Sequence, residues 1–178
     1  MRIISGTFKG RRIATPKNLN ARPTTDFAKE GLFNLLDNRF DYTDTNILEL
    51  FAGSGNIGLE FVSRGVRHVT ALEWDARNLA FLKKVCGELH ISNYQPLRAD
   101  VFEFVKTSSG PYDLVFADPP YANPRLAEIP DLVFGSNLVA PKGWLILEHG
   151  RANNFAEHPN FVEERHYGNV HFSFFQPK

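Results

Sequence analysis

Apolar residues along this chain fall into short continuous runs that alternate with longer amphipathic stretches. The continuous runs predict buried strands at residues 46–51, 68–73, 112–117 and 144–148, and a short strand is expected near residues 95–98. The amphipathic stretches predict helices, at residues 57–64, 75–89, 101–106 and 125–134. Strand–helix alternation of this kind is typical of a parallel sheet covered by helices on both faces.

The C-terminal tail departs from the alternation. Residues 161–167 and 170–176 predict two strands that are joined at Gly168 and Asn169. Two strands with so short a connection form an antiparallel hairpin. We therefore expect a hairpin at one edge of the sheet.

The first 40 residues also lie outside the alternation. Residues 2–5 and 11–14 predict two short strands around a glycine-bearing turn, and residues 16–23 have the composition of a linker. Thr25 is a candidate cap for a helix over residues 26–38. We expect one α/β domain over the whole chain, with an N-terminal extension at residues 1–40 and a core at residues 46–178.

Length and composition are those of a globular domain. A chain of 178 residues that is 43% hydrophobic buries roughly two thirds of its surface on folding. The single cysteine, Cys86, excludes an internal disulfide framework and fits a reducing compartment. Residues 1–10 lack the apolar core of a signal peptide, and no run approaches the ~18 apolar residues of a membrane span. A soluble cytoplasmic protein is expected.

Charge is neutral overall but unevenly placed. The chain has 20 basic and 20 acidic residues, yet its first 25 residues contain no acid. They contain six basic residues: Arg2, Lys9, Arg11, Arg12, Lys17 and Arg22. A basic segment on an acidic body predicts a polyanionic partner; the alternative is a solvated hairpin with ordinary surface charges.

A short motif follows the strand predicted at residues 112–117. It consists of Asp118, Pro119, Pro120 and Tyr121. Each proline fixes its φ angle and lacks an N–H, so the local carbonyl groups are held still. A carboxylate and a fixed carbonyl, both acceptors, can hold an exocyclic amino group while Tyr121 stacks on the base that carries it. The motif therefore predicts methyl transfer to the amino group of a nucleobase.

A glycine-rich turn joins the first core strand to its helix. Gly53, Gly55 and Gly58 fit the spacing G-x-G-x-x-G, and Glu73 follows Gly53 by 20 residues. Glycines let a ligand lie against the backbone, and a carboxylate at the end of the next strand can bind a ribose diol. This spacing predicts a nucleoside-bearing cofactor, which could be a dinucleotide or S-adenosylmethionine.

Two further acids favour S-adenosylmethionine over a nicotinamide dinucleotide. Glu49 lies within the first strand, where it can meet the positive amino group of a methionine moiety. A dinucleotide instead brings an anionic pyrophosphate. Asp100 follows the third strand and is placed to accept from an adenine amino group. Ordinary surface acids at strand ends are the alternative reading of Glu73 and Asp100.

The chain resembles the class I methyltransferases in residues 48–58 and 118–121. More closely, it resembles the RsmD family of bacterial small-subunit ribosomal RNA guanine-N2 methyltransferases. That resemblance runs nearly end to end, through residues 2–6, 9–11, 22–26, 32–34, 63–65, 167–169 and 173–175. It implies a Rossmann-like sheet, mostly parallel, with an antiparallel C-terminal hairpin and a small N-terminal β-hairpin and helix.

The resemblance also implies S-adenosylmethionine as the cofactor. Its methionine part would be held by Glu49 and the following loop, which comprises Phe51, Ala52, Gly53, Ser54 and Gly55. Glu73 would hold the ribose and Asp100 the adenine, while Trp74 either flanks the adenine or packs in the core. Glu49 stands where the family more often has aspartate.

For the acceptor, the resemblance implies a guanine of ribosomal RNA. Asp118, Pro119, Pro120 and Tyr121 would position its amino group. RNA contacts are expected from Lys9, Arg11, Arg12, Arg22 and Thr24. The expected partner is a small-subunit assembly particle, met by a monomer. The six histidines are scattered, so no metal is expected.

Besides a nicotinamide oxidoreductase, which the glycine spacing allows, three alternatives remain open at the level of the sequence. The first is an adenine-N6 nucleic-acid methyltransferase, which would share both motifs. The second is a protein glutamine methyltransferase, a family that resembles this one but has asparagine in place of Asp118. The third is a catalytically inactive RNA-binding or ribosome-assembly factor on the same fold.

Overall fold

The computed structural model describes residues 1–16, 25–108 and 110–178. Within them, seven strands form one sheet: β1 (Asn46–Leu50), β2 (His68–Glu73), β3 (Tyr94–Arg98), β4 (Tyr112–Ala117), β5 (Val139–His149), β6 (Phe161–Tyr167) and β7 (Val170–Phe175). The strand order is β3-β2-β1-β4-β5-β7-β6. The first five strands are parallel to one another, and β7 runs antiparallel to both β5 and β6. The predicted fold class and the C-terminal hairpin are confirmed.

Helices cover both faces of the sheet. The described residues form five α-helices: α1 (Asp26–Leu36), α2 (Gly58–Ser63), α3 (Ala76–Glu88), α4 (Val101–Thr107) and α5 (Ile129–Gly135). One apolar core joins α1, α2 and α3 to the sheet, and a second joins α4 and α5 to the opposite face. None of the helices in the described part of the chain is both long and apolar enough to cross a membrane.

Side-chain caps fix where three of these helices begin. The Thr25 hydroxyl accepts from the Ala28 N–H at 3.2 Å, as the sequence predicts. Asp75 and Asp100 cap α3 and α4 in the same way. Each cap satisfies a backbone donor that has no partner within its helix.

Two predicted boundaries were wrong. The strand predicted at residues 144–148 begins earlier, at Val139. Its pairing with β4 shifts register between Tyr112 and Leu114. Because of this irregularity, the strand accommodates Pro141, which lacks an N–H for regular pairing. The helix predicted over residues 125–134 begins as a 3₁₀ turn at Leu126–Glu128, and α5 follows with Pro130 in its first turn.

The predicted N-terminal β-hairpin is short. Backbone hydrogen bonds pair residues 1–3 with residues 11–13 around an antiparallel bridge between Arg2 and Arg12. The pairing does not extend further because the next backbone donors have another partner. The N–H groups of Ile4 and Ser5 donate to the Glu60 carboxylate at 2.8 and 3.0 Å rather than to a strand partner. Residues 1–13 are therefore attached to α2, and not a free hairpin.

Candidate active site

Four carboxylates stand at the carboxyl ends of neighbouring strands. Their order across the sheet is Glu73 (β2), Glu49 (β1), Asp118 (directly after β4) and Glu148 (β5). Side chains alternate between the faces of a strand, and these four share the face of Ile47, Ala71, Phe116 and Ile146, which belong to the core under α1, α2 and α3. The alternation therefore brings together three acids that the sequence analysis assigned to separate motifs, Glu73, Glu49 and Asp118, and adds Glu148 to them.

The glycine-rich turn opens from the end of β1. Phe51, Gly53 and Gly55 have φ angles of 63°, 56° and 72°, a left-handed region that glycine enters without strain. A Cβ at Gly55 would also lie 2.6 Å from a methyl group of Leu82. Ala52 and Ser54 are buried in the same turn. Glycine at position 55 thus permits the left-handed backbone and lets the turn pack closely against α3.

Glu49 lies deepest in this row and is 2% exposed. Its carboxylate accepts from the Gly58 N–H and the Tyr94 hydroxyl, both at 2.8 Å. Burial raises the pKa of Glu49 to about 7, although these two hydrogen bonds favour the ionised form. Tyr94 was missed by the sequence analysis, because a tyrosine inside a strand is usually a packing residue.

Glu73 supports the turn from the neighbouring strand. Its two oxygens accept from the N–H groups of Gly53 and Asp75, each at 2.7 Å. It is 8% exposed, so the alternative reading as a surface acid was wrong. The spacing of 20 residues between Gly53 and Glu73 therefore corresponds to a direct contact, and the carboxylate lies against the loop.

Trp74 and Asp100 flank this region at the surface. Trp74 is 64% exposed, so its reading as a core residue was wrong, and the Arg98 guanidinium lies 5.5 Å from the centre of its ring. Asp100 is exposed and caps α4 by accepting from the Glu103 N–H at 3.1 Å. An indole and a carboxylate thus stand beside Glu73 at the edge of the sheet.

On the other side of β1, the Asp-Pro-Pro-Tyr motif continues β4. The N–H of Asp118 donates to the Leu50 carbonyl at 3.3 Å, so the motif begins beside the residue that precedes the glycine-rich turn. Burial, followed by the charges of Glu148 and Glu49, holds the pKa of Asp118 well above its usual range. Pro119 is buried, whereas Pro120 is exposed.

Glu148 is the main residue of this site that the sequence analysis missed. It is 3% exposed, and one of its oxygens accepts from the Tyr121 hydroxyl at 3.0 Å. The pairing of Ala117 with Leu147 places Asp118 and Glu148 side by side at the next position. The available signal was a glutamate within an otherwise apolar predicted strand, the same signal that identified Glu49.

Three of the five predicted RNA-contacting residues lie in the part of the N-terminal segment that the structure describes. Lys9, Arg11 and Arg12 are exposed, and none of them forms an ion pair with another described residue. The two arginines line a groove of about 470 Å³ together with Arg77 and Lys84 of α3. The predicted contacts Arg22 and Thr24 lie outside the described residues.

Metal ligation has no support in the described part of the chain. No group of three or more His, Cys, Asp or Glu side chains there is placed to hold a metal ion. His149 is buried and structural: its ring nitrogens lie 2.9 Å from the Gly150 carbonyl and 2.8 Å from the Ser173 hydroxyl. Cys86 packs in α3, where burial raises the pKa of its thiol to about 11.

Comparison with known proteins gives consistent matches over the whole chain. The family described as "Conserved hypothetical protein 95" matches residues 1–176. The protein named ribosomal RNA small subunit methyltransferase D of Buchnera aphidicola subsp. Baizongia pistaciae is 31% identical, over 98% of this chain and 91% of its own length. The protein of the same name from Escherichia coli K12 is 34% identical, over 82% of this chain and 69% of its own length.

A solved structure agrees with these sequence matches. The structure described as putative methyltransferase yhhF from Escherichia coli aligns with a TM-score of 0.87 at 30% identity. The alignment covers 100% of this chain and 98% of that one. The similarity therefore extends over both the N-terminal segment and the sheet.

Proposed function

This chain belongs to the RsmD family of ribosomal RNA small subunit methyltransferases, and we propose that it methylates the exocyclic N2 amino group of a guanine in small-subunit ribosomal RNA. S-adenosylmethionine is the methyl donor. Family membership decides against a nicotinamide oxidoreductase, which the glycine spacing alone left open.

The observation that carries this proposal is the adjacency of the two motifs. The bond from the Asp118 N–H to the Leu50 carbonyl places the proposed acceptor motif directly beside the glycine-rich turn. Glu73 and Glu49 stand on one side of this junction, and Asp118 and Glu148 on the other. A donor on the β1–β2 side and a base on the β4–β5 side would meet at the end of β1.

The residues of the cofactor side fit S-adenosylmethionine chemically. Positive φ angles at Gly53 and Gly55 give the sharp turn against which the methionine part would lie. Glu73 would bind the ribose hydroxyls, and Asp100 and Trp74 would bind and flank the adenine. Glu49 places negative charge beneath the turn, where it would attract the positive amino group of the methionine part.

S-adenosylmethionine supplies a methyl group on a positively charged sulfonium, and the chain supplies alignment. The N2 lone pair of guanine is delocalised into its ring and is a poor nucleophile. Hydrogen bonds from the amino group to Asp118 and to the Pro119 carbonyl would favour a pyramidal nitrogen and aim its lone pair at the methyl group. The positive charge of the bound sulfonium would favour the ionised form of Asp118, and this carboxylate would then stabilise positive charge that develops on the nitrogen.

A paired base cannot present its amino group to this site. The target guanine must leave its stack, and Tyr121, which is 39% exposed, would stack on it. We propose a structured ribosomal RNA substrate within a small-subunit assembly particle, met by a monomer in the bacterial cytoplasm. The exposed Lys9, Arg11 and Arg12 would contact its phosphates, together with Arg22 and Thr24.

The test is methyl transfer from labelled S-adenosylmethionine to small-subunit RNA, both naked and assembled with its proteins. Asp118→Ala should lower turnover on the order of 100-fold or more, because the variant loses an electrostatic stabiliser of the transition state. Cofactor affinity, measured by calorimetry, should stay within about twofold because the proposed bonds of Asp118 are to the base.

A matched aspartate provides the control. Asp44 is paired with Arg67 on an exposed turn before β1, so Asp44→Ala should behave like the wild type. Near-normal turnover by Asp118→Ala would mean that the acceptor site lies elsewhere.

A further inference from the structure

Tyr121 is held from two directions in the described structure. Its hydroxyl donates to Glu148 Oε1 at 3.0 Å, and its ring lies against Gly150. A Cβ added at Gly150 would be 3.1 Å from Cδ2 of the ring. A ring fixed at its tip and along one edge has little rotational freedom, yet it remains 39% exposed.

Glu148 is itself fixed by the sheet. It lies in β5, beside the position where β4 gives way to the Asp118 motif, and it is 3% exposed. A buried carboxylate in a central strand has far less freedom than the loop that carries Tyr121. The hydrogen bond therefore transmits the rigidity of β5 to a loop residue that no strand holds.

We propose that Glu148 is a positioning residue for methyl transfer: its carboxylate fixes the Tyr121 ring in the orientation that receives the target base. This inference rests on the proposed function and adds to it a residue on a strand that neither motif includes. The gain is preorganisation, because a stacking ring that is already oriented loses less freedom when the base arrives.

A double-mutant cycle on Glu148→Ala and Tyr121→Phe tests this role. Both substitutions break the same hydrogen bond, and Tyr121→Phe keeps the ring. Each should lower kcat/KM for RNA about five- to tenfold, the range expected for one lost hydrogen bond. The double variant should lose no more than either single variant, because the two act through one contact. Cofactor affinity should not change.

Two further variants test whether Glu148 acts by positioning the Tyr121 ring or through its negative charge. Glu148→Gln keeps an acceptor for the Tyr121 hydroxyl and should retain kcat/KM within about threefold of the wild type. Gly150→Ala displaces the ring from its other side without removing a hydrogen bond and should lower kcat/KM several-fold. Glu157→Gln, an exposed glutamate between β5 and β6, is the matched control and should have no effect.

The outcomes distinguish this inference from the proposed function. Additive losses in the cycle, or a Glu148→Gln variant as impaired as Glu148→Ala, would show that Glu148 does not act through Tyr121. Wild-type activity in Tyr121→Phe would do the same. If Asp118→Ala were also active, the acceptor site itself would be misplaced. Thermal melts of all variants identify any that lose kcat/KM through unfolding.

Discussion

The ionisation of Glu49 is coupled to the stability of the folded protein. Burial raises its pKa from 4.5 to about 7 in the folded protein. Between these two values the folded state holds a proton that the unfolded state has released. The free energy of unfolding should therefore fall as pH rises from about 4.5 to 7, by roughly 3 kcal/mol at most.

Chemical denaturation across this pH window measures the effect. Glu49→Gln should unfold with a flatter pH dependence, because glutamine keeps one acceptor oxygen and a similar shape but does not titrate. Glu88→Gln, at the exposed end of α3, is the control and should follow the wild type. Parallel curves for wild type and Glu49→Gln would show that the pKa of this carboxyl is close to its ordinary value.

Sequence patterns identified individual residues whose charge is unusual for the segment in which they lie. Glu49 stands out as an acid within an apolar strand, and Asp118 as an acid followed by two prolines. Glu148 carries the same signal but lacks a neighbouring motif to direct attention to it. Its role depends on the approach of Tyr121, a contact between residues 27 positions apart that no local pattern contains.

At the scale of elements, the apolar runs predicted β1, β2 and β4 because these strands are buried on both faces. The sequence pattern predicted the N-terminal strands incorrectly, because tertiary hydrogen bonds to α2 replaced some of the expected bonds between the strands. Glu60 takes the N–H groups of Ile4 and Ser5, and the Ser63 hydroxyl accepts from the Phe8 N–H at 2.9 Å. These contacts draw the N-terminal segment onto α2 and prevent two regular strands.

The same attachment gives the N-terminal segment a defined place from which to contact RNA. Phosphate contacts release counterions, so log affinity falls with log salt concentration by about 0.7 per contact on single strands. Changing Arg11 and Arg12 to alanine should therefore flatten the salt dependence of RNA binding by roughly 1.4 units, with little effect on cofactor affinity.

RNA binding across a salt series compares this double variant with the wild type. A variant with alanine at Lys106 and Lys142 removes two exposed positive charges from α4 and from the first half of β5. It should keep the wild-type slope. Equal slopes for the arginine variant and the wild type would mean that RNA binds to another surface.

At the scale of the whole molecule, the strand order brings the two halves of the site together. Crossing over from β3 to β4 places the fourth strand on the far side of β1, so that the acceptor motif is next to the glycine-rich turn. A parallel sheet was predictable from the alternation of elements, whereas the strand order was not predicted, because it depends on tertiary contacts that no local pattern contains. The packing of α1 and residues 1–13 against α2 then fixes the basic segment to the same body.

The central claim is that the acceptor is the N2 amino group of a guanine. Mass spectrometry of nucleosides tests it most directly, on small-subunit RNA that lacks the modification, both naked and assembled with its proteins, after treatment with the enzyme and S-adenosylmethionine. The account predicts N2-methylguanosine as the new modified nucleoside, formed by the wild type and reduced at least about 100-fold with Asp118→Ala. N6-methyladenosine in its place would contradict the assigned acceptor, and the absence of any new methylated nucleoside would contradict the proposed function.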